Sequence, residues 1–225
     1  MAFSKEATKS ALEANDLGSL VRAAQADRKV TSALVRFAYD KETLVGARAV
    51  KAMGLIACEL ARTDPEFLRE TCRKLLWSLS DESGAIGWSA PEMLGEIVAA
   101  DPKRFADIIP LLASVYAGDE DVFRPGVLYA LGRVAKQAPE RVLPHADILL
   151  KGLSDPNPLA RIFALDALKP LAGSLGEHLL AESCRLLQAL FTDTAEAWVY
   201  TSNDFSPVEV GLYAREVSTL LCGTK

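Results

Sequence analysis

The feature that most constrains the fold of this chain is a repeat of 37 residues in its helix-breaking and apolar positions. One column of the repeat holds Pro65, Pro102, Pro139 and Gly176, and a second column holds Leu75, Leu112, Leu149 and Leu186. The segments AMGLI, MLGEI, ALGRV and ALKPL begin at residues 52, 93, 130 and 167 and mark a second apolar segment in each unit. A period near 37 with two helical segments per unit predicts an α-solenoid of helical hairpins.

Helix-start signals accompany this repeat. Three capping residues stand directly before prolines, namely Asp64, Asp101 and Asn157. Ser174 with Glu177, and Ser206 with Glu209, have the spacing of a capping box. No segment alternates between apolar and polar residues convincingly enough to indicate a strand. We therefore expect an all-α fold, a right-handed superhelix of about five helical hairpins, with essentially no sheet.

The repeat resembles the HEAT and HEAT-like repeats. In that family the first helix of a unit ends near an aspartate, with an apolar residue five positions later and an arginine six positions later. Asp155, Ala160 and Arg161 match this pattern, whereas the preceding unit has Arg124 with its aspartate one place out of register. The resemblance covers roughly residues 28–190 and implies a non-enzymatic scaffold that binds a protein or peptide partner along its inner face.

Residues 1–225 are interpreted as one repeat domain. Residues 4–27 are expected to form N-terminal capping helices and residues 191–225 a divergent C-terminal cap, because terminal units of a solenoid must cover its exposed apolar faces. Within the second cap, we expect the stretch AEAWVYTSND to be irregular and residues 206–222 to be helical.

The composition narrows the choice of partners. The net charge of −5 argues against a general nucleic-acid or acidic-membrane binder. No apolar run approaches the roughly 18 residues that span a bilayer, so we expect a soluble cytoplasmic protein without membrane contact. The cysteines, Cys58, Cys72, Cys184 and Cys222, have no CxxC spacing, and we interpret them as free, buried thiols. We expect no cofactor and no metal.

The second unit departs from the repeat in the segment ESGAIGWSAPE, residues 82–92. The column of Pro91 holds Val50, Leu128 and Leu165 in the other units. The first good helix start is Ser89 as N-cap, with Glu92 completing a capping box. We therefore predict that the second helix of this unit is shortened by one to two turns, which leaves a loop and a notch in the stack.

Two tryptophans lie near the predicted notch. Trp77 falls in a column that the other units fill with polar residues, and Trp88 lies in the loop. An aromatic side chain at a solvent-facing position is a candidate for partner binding. The alternative is that the tryptophans fill the notch and have a purely structural role.

Polar residues of two neighbouring units complete the candidate site. Glu92 and Glu96 lie one turn apart on one helix face, and the next unit has Tyr129 and Arg133 in the same columns. Glu96 and Arg133 form either an ion pair between units or part of a polar strip that recognises a partner. We expect the partner to bind at a site centred on the irregular loop of the second unit, and the candidate partner-binding residues are Trp77, Trp88, Glu92, Glu96, Tyr129 and Arg133.

The sequence contains few residue patterns that would support an enzymatic function on the same scaffold. His145 and His178 lack the His-Glu pairs of HEAT-like metal hydroxylases. HEAT-like DNA glycosylases use tryptophans with an aspartate, and Trp77 with Asp81 is the nearest approach to that pattern. A DNA-repair enzyme or a cofactor lyase remains an alternative, and the former requires a positively charged inner groove. We assign no catalytic residue.

Overall fold

The computed structural model describes residues 4–79, 88–118, 121–201 and 203–223. Its helices, in chain order, are α1 (Lys5–Glu13), α2 (Leu17–Ala26), α3 (Lys29–Phe37), α4 (Leu44–Thr63), α5 (Pro65–Leu79), α6 (Ala90–Ala100), α7 (Ile108–Tyr116), α8 (Arg124–Ala135), α9 (Pro139–Val142), α10 (Ala146–Gly152), α11 (Pro158–Leu168), α12 (Glu177–Ala189) and α13 (Val210–Cys222). Two strands, β1 (Glu196–Tyr200) and β2 (Phe205–Glu209), lie between α12 and α13. Within the ranges described, no helix combines the length and the apolar character that crossing a bilayer requires.

The inner layer of the molecule consists of the second helices of successive units. These helices are α4, α6, α8 and α11, and each packs against the next. A Cβ atom on Gly95 would lie 2.4 Å from the Cα of Ala130, and one on Gly132 would lie 3.2 Å from the Cβ of Ala167. Gly95 thus allows a close approach that no side chain would permit. The packing explains the glycine of MLGEI and ALGRV and confirms the predicted solenoid of helical hairpins.

The first helices of the units form an outer layer against these inner helices. Helices α3, α5, α7 and α10 each pack against the second helix of their own unit. The leucine column of the repeat lies in this interface, since Leu75, Leu112 and Leu149 are buried and Leu186 packs against the same core. The apolar pattern therefore corresponds to the contact between the two layers.

Helix capping before a proline is confirmed at Asp64 and Asn157, whereas Asp101 caps a turn and not the start of a helix. Backbone N–H groups of Phe67, Arg104 and Leu159 donate to Asp64, Asp101 and Asn157 at 3.3, 3.1 and 2.9 Å. Helices α5 and α11 begin at the expected prolines. Helix α7 begins only at Ile108, because residues 102–107 form successive turns before it.

The capping boxes predicted at Ser174 and Ser206 are wrong. Helix α12 has Gly176 as its N-cap, and the backbone N–H of Ser174 instead closes a turn onto the carbonyl of Leu171 at 2.8 Å. Ser206 lies in β2, and α13 begins only at Val210. Each serine stands three residues before a glutamate, as in a capping box, but neither serine is the residue that directly precedes the helix.

The all-α class is confirmed, but the stretch AEAWVYTSND, which we expected to be irregular, contributes to a small two-stranded sheet. Strands β1 and β2 pair antiparallel, with Trp198 opposite Pro207 and Tyr200 opposite Phe205. The backbone N–H of Thr201 donates to the carbonyl of the residue that precedes β2, at 3.0 Å, and closes the turn. In a sheet of two strands both strands are edges, so a proline is tolerated in β2.

Side chains of this hairpin alternate between two environments. Ala197 and Val199 of β1 and Val208 of β2 pack against the hydrophobic core. Trp198, on the opposite face of β1, is 65% exposed. The alternation of small apolar and aromatic residues is that of a strand with one buried face. The predicted irregular stretch and the first residues of the predicted 206–222 helix are therefore a hairpin.

The prediction of four free, buried cysteines is also wrong in part. Cys184 of α12 and Cys222 of α13 form a disulfide, with their Cα atoms 5.9 Å apart. Cys58 is free and exposed, whereas Cys72 is free and buried as predicted. Packing of α12 against α13 brings the bonded pair together across 38 residues of sequence, a proximity that residue spacing does not reveal.

Candidate binding site

A cavity of about 1140 Å³ lies between the inner helices and the hairpin. Its wall combines residues of α4, α6, α8 and α11 with residues of β1, β2 and α13. Sites for small molecules usually measure roughly 300–1,000 Å³. The cavity therefore has room for a large ligand or for several side chains of a peptide.

The tip of the hairpin reaches the opposite end of the chain. The side-chain amide of Asn15 donates to Oδ1 of Asn203 at 2.8 Å, across 188 residues of sequence. Arg48 of α4 donates to the backbone carbonyl of Asn203 at 3.3 Å and to the carbonyls of Leu12 and Glu13 at 3.0 and 2.8 Å. These contacts, which we call the latch, join α1 and α4 to the hairpin and close the solenoid over its inner face.

The base of the hairpin is fixed at the C-terminal end of the stack. The backbone N–H of Val210 donates to the carbonyl of Ala195, and that of Gly211 to the carbonyl of Asp193. Arg161 of α11 forms an ion pair with Asp193 at 2.9 Å, and both side chains are largely buried. The hairpin is thus attached at both ends, with the cavity between the attachments.

Aromatic side chains are concentrated in the wall of the cavity. The chain has three tryptophans, five tyrosines and eight phenylalanines. Six of these residues line the cavity, namely Tyr129, Phe163, Trp198, Tyr200, Phe205 and Tyr213. Tyr129 packs edge to face on Phe163 with ring centroids 5.4 Å apart, and Tyr200 packs on Phe205 at 5.6 Å. Such pairs form preorganised apolar surfaces.

The ion pair predicted between Glu96 and Arg133 is confirmed. Arg133 Nε lies 2.9 Å from Glu96 Oε1 and its Nη2 donates to Oε2 at 3.0 Å, while the hydroxyl of Tyr129 donates to Oε1 at 2.5 Å. A Cβ on Gly54 would lie 2.2 Å from Glu96 Oε2, so this glycine makes room for the carboxylate. Burial, and then the charge of Glu96, raise the pKa of Tyr129 well above its usual value. The hydroxyl therefore remains a donor.

The start of α6 agrees only in part with the prediction. The helix begins at Ala90, which is three residues later in the repeat than the start of α8 and six later than that of α11. The later start is confirmed. Helix α6 nevertheless has 11 residues, as α11 does, because it continues to Ala100. The predicted shortening is therefore wrong, and residues 82–87 of the predicted loop lie outside the described ranges.

Ser89 and Glu92 do not form the predicted capping box. The hydroxyl of Ser89 donates to the carbonyl of Ala38 at 2.5 Å, and the carboxylate of Glu92 lies 3.4 Å from Lys41 Nζ. Lys41 also donates to the carbonyl of Trp88 at 3.0 Å. Both side chains are thus used for contacts with the preceding unit, which the local spacing of the box does not show.

Glu92 is a buried carboxylate in the wall of the cavity. The residue is 9% exposed, and its Oε2 has no hydrogen-bond partner among the described residues. The carboxylate lies over Gly126, where a Cβ would be 2.6 Å from Oε2. Burial raises the pKa of Glu92, and the nearby charge of Lys41 offsets only part of that rise. A buried oxygen without a donor is costly in free energy.

A second polar cluster lies where α11 meets α13. Asp166 forms an ion pair with Lys136 at 2.6 Å and accepts a hydrogen bond from the hydroxyl of Tyr213 at 3.0 Å. Lys169 lies over the ring of Tyr213, 5.0 Å from its centroid, and forms an ion pair with Glu216 at 3.1 Å. Burial, and then the charge of Asp166, raise the pKa of Tyr213. Asp166 therefore has two donors, whereas the described side chains supply Glu92 with one, Lys41 at 3.4 Å.

The structure brings together most of the residues selected from the sequence. Glu92, Tyr129 and Arg133 line the cavity, and Glu96 lies beneath the last two. Trp88 is connected to the wall through its carbonyl contact with Lys41. Residues of the hairpin and of α13 were missed, although the alternation in AWVY was a signal for the strand.

The tryptophans of the second unit are exposed. Trp77 is 69% exposed and Trp88 is 39% exposed, so neither side chain fills the core as the structural alternative requires. Trp77 does not belong to the wall of the cavity. The two residues that the sequence pattern groups together are therefore separated by the fold, one near the cavity wall and one outside it.

Comparisons with known proteins give one partial sequence relative and several full-length structural matches. No protein-family model matches the chain. A curated relative, an uncharacterized protein of Archaeoglobus fulgidus, is 31% identical over 105 residues, which are 47% of this chain, and the chain spans about half (54%) of that relative's length. Crystal structures of two engineered proteins align over 98% and 99% of this chain and 92% and 93% of their own, with TM-scores of 0.58 and 0.56 and identities of 16% and 17%. An archaeal HEAT-like repeat protein of Thermococcus onnurineus aligns over 99% of this chain and 98% of its own, with a TM-score of 0.41 and 18% identity.

The class of protein that the fold defines is an α-solenoid of helical hairpins, closed over its inner face by a β-hairpin. Full-length alignment with the two engineered structures shows a likeness of the overall fold and nothing finer. A fold of this class does not by itself specify an activity. Function must be inferred from the cavity.

Proposed function

We propose that this protein is a non-enzymatic binding module that holds a segment of a partner protein in the cavity between the inner helices and the hairpin. The observation that carries the proposal is that six aromatic side chains line one cavity. Aromatic side chains supply a large contact area at low cost in side-chain entropy. Solenoids use their curved inner surfaces for extended contacts with partners.

The proposal places the centre of the site in the cavity and not in the loop of the second unit. Glu92, Tyr129 and Arg133 are retained as partner-binding residues because they line the cavity. Glu96 orients Tyr129 and Arg133 through the hydrogen bonds described above. Trp198 becomes the principal aromatic contact, since it lines the cavity and is 65% exposed.

The charge of the cavity wall favours a protein segment over nucleic acid. Grooves that bind nucleic acid carry a surplus of lysine and arginine. The described wall has four cationic side chains, Lys41, Lys51, Arg133 and Lys136, and five carboxylates, Glu42, Glu92, Asp166, Glu209 and Glu216. The positive groove required by a DNA-repair enzyme is therefore missing from this wall.

Selection from a random peptide display library against the full chain would test the proposal. Binding of the selected peptides, measured by fluorescence anisotropy, is expected to weaken at least tenfold in Trp198→Ala. Trp77→Ala is a matched control, because Trp77 is exposed to a similar extent, 69%, but lies outside the cavity wall. Its affinity for the same peptides is expected to stay within twofold of the unmodified chain.

Two outcomes would overturn the proposal. Equal losses in Trp77→Ala and Trp198→Ala, or a loss confined to Trp77→Ala, would place the site at the second unit and not in the cavity. Failure of the library to yield any peptide whose binding depends on Trp198 would exclude a protein segment as the ligand of the cavity.

A further inference from the structure

We propose that the partner segment presents an alkylammonium or guanidinium group, from a lysine or arginine side chain, to the carboxylate of Glu92. This inference rests on the proposed function for the protein segment and adds the chemistry by which the cavity selects it. Three features of the wall point to a cation: a buried carboxylate with an unpaired oxygen, a neighbouring ammonium that satisfies only the other oxygen, and aromatic surfaces in the same wall.

The carboxylate of Glu92 has unused hydrogen-bonding capacity. An ionised carboxylate offers about four acceptor positions. Among the described residues, Lys41 at 3.4 Å from Oε1 is the polar side-chain contact of this carboxylate, and Oε2 has no hydrogen-bond partner. The neighbouring carboxylate Glu96 accepts from both Arg133 and Tyr129. In the part of the chain that the structure describes, Glu92 is thus a buried carboxylate of the wall with fewer donors than Glu96. A ligand cation would reach it at Oε1 in place of Lys41, because Oε2 is packed against Gly126.

Lys41 occupies this position only loosely. Its ammonium donates to the carbonyl of Trp88 at 3.0 Å, a shorter contact than the 3.4 Å to Glu92. The side chain of Lys41 is 28% exposed, whereas that of Glu92 is 11% exposed. The positive partner is therefore the more accessible member of the pair, and a long flexible lysine can move aside while the carboxylate on α6 stays in place.

An anionic ligand does not fit the same position. It would approach Lys41 but would also bring a second negative charge close to the buried carboxylate of Glu92. Like charges at such a distance strongly disfavour each other where water is excluded. The wall carries five carboxylates against four cations, and the net charge of the chain is −5, so the long-range field also attracts a cationic segment.

Aromatic side chains supply the second part of the recognition. Tyr129, Trp198, Tyr200 and Tyr213 line the same cavity as Glu92. Cations are attracted to the faces of tryptophan and tyrosine rings, most strongly where they are desolvated. The aliphatic stem of a lysine or arginine side chain packs favourably on the same apolar surface while its charged end reaches a carboxylate.

Peptide titrations followed by NMR on the full, isotope-labelled chain would test this inference. The probes are acetyl-Ala-Ala-Lys-Ala-Ala-amide, the same peptide with norleucine in place of lysine, and n-butylammonium alone. The lysine peptide is expected to bind at least tenfold more tightly than the norleucine peptide, with chemical-shift changes at the amides of Ser89 and Glu92. This preference should fall below twofold in Glu92→Gln and persist in Glu140→Gln, which removes an exposed carboxylate outside the cavity.

A second variant keeps the inference testable if Glu92→Gln does not fold. Lys41→Met removes the competing ammonium, so the lysine peptide is expected to bind at least threefold more tightly to this variant. Weaker binding to Lys41→Met would mean that the ligand contacts Lys41 as an acceptor, and it would overturn the inference.

The outcomes separate the inference from the proposed function. Peptides that depend on Trp198 but show no preference for lysine or arginine leave the proposed function intact and overturn the cation site. Binding of n-butylammonium that is as tight as that of the lysine peptide, and equally dependent on Glu92, supports the cation site. The same result would contradict the proposal that a segment of a partner protein supplies the cation.

Discussion

The repeated units and the C-terminal hairpin differ in how their contacts relate to the sequence. In the units, each inner helix packs against the next along a column of the 37-residue repeat, as at Gly95 and Ala130. The hairpin instead joins residues that are far apart, since Asn203 contacts Asn15 and Arg48 across 188 and 155 residues. The units therefore specify a stack, whereas the hairpin turns its inner surface into a bounded cavity.

This difference shows where stability and function lie in the molecule. At Gly95 the close approach of α6 and α8 leaves no space even for a side-chain carbon between these two helices. The cavity exists only where the hairpin and α13 complete a wall that the stack leaves open. We expect changes in the stack to act on the free energy of unfolding, and changes in the hairpin to act mainly on the local opening of the cavity.

The largest expected effect concerns the disulfide beside the hairpin. Replacing both Cys184 and Cys222 by serine should lower the free energy of unfolding of the oxidised protein by about 4 kcal/mol, from the chain entropy of a loop that spans 38 residues. Urea unfolding followed by circular dichroism would measure this change. Cys58→Ser, at an exposed free cysteine, is the control and should change stability by less than about 0.5 kcal/mol. Equal stability of the double variant and the unmodified chain would mean that the bond does not form in solution.

The second prediction tests the stack. Gly95→Ala should destabilise the protein by about 3 kcal/mol, because its Cβ would lie 2.4 Å from the backbone of Ala130 and force α6 and α8 apart. Thermal or urea unfolding provides the measurement. Gly173→Ala is the matched control, since nothing lies within 4 Å of a Cβ there, and it should be neutral or slightly stabilising. If both variants behave alike, the glycine column does not set the spacing of the helices.

The third prediction concerns pH at Glu92, where the stack meets the cavity. The pKa of Glu92 is raised in the folded protein by burial, so the folded carboxyl keeps its proton to higher pH than the unfolded one. Its favourable contribution to stability is complete below the unfolded pKa and is lost as pH rises through the folded pKa. The melting temperature of Glu92→Gln, taken relative to that of the unmodified chain, should therefore be higher at pH 7.5 than at pH 4.

A companion variant sharpens that measurement. Lys41 lowers the pKa of Glu92 by its charge, so Lys41→Met should make the loss of stability between pH 4 and pH 7.5 larger than in the unmodified chain. A melting-temperature difference between Glu92→Gln and the unmodified chain that is the same at both pH values would show that burial does not raise the pKa of this carboxyl.

The smallest expected effect is at the latch. Asn203→Ala removes the exposed hydrogen bond from Asn15 and should cost about 0.5 kcal/mol of global stability. The same change should speed hydrogen exchange of the β1–β2 amides severalfold, because local opening needs less free energy than global unfolding. Amides of α8 serve as the internal control and should exchange at unchanged rates. Uniform acceleration in the hairpin and in α8 would remove the distinction between the two regions.

How well the sequence predicts the structure also differs between the repeated units and the hairpin. The glycine of MLGEI and the leucines of the repeat recur at fixed columns, and Glu96 and Arg133 occupy one column in neighbouring units, so their contacts could be inferred from the repeat. The capping box at Ser89 failed because its side chain found the carbonyl of Ala38, 51 residues earlier in the chain. Local spacing indicates which hydrogen bonds a polar side chain could form, but its tertiary neighbours decide which of these bonds it forms.

The sequence by itself determined the stack of helical hairpins, because a periodic apolar pattern can be buried only by neighbouring copies of itself. Only the tertiary structure decided that AEAWVY and FSPVE form a hairpin, that Cys184 meets Cys222, and that Asn203 reaches Asn15. These contacts join residues up to 188 positions apart, which no local pattern of the sequence relates to one another. The cavity is a consequence of these contacts, because the hairpin and α13 form part of its wall.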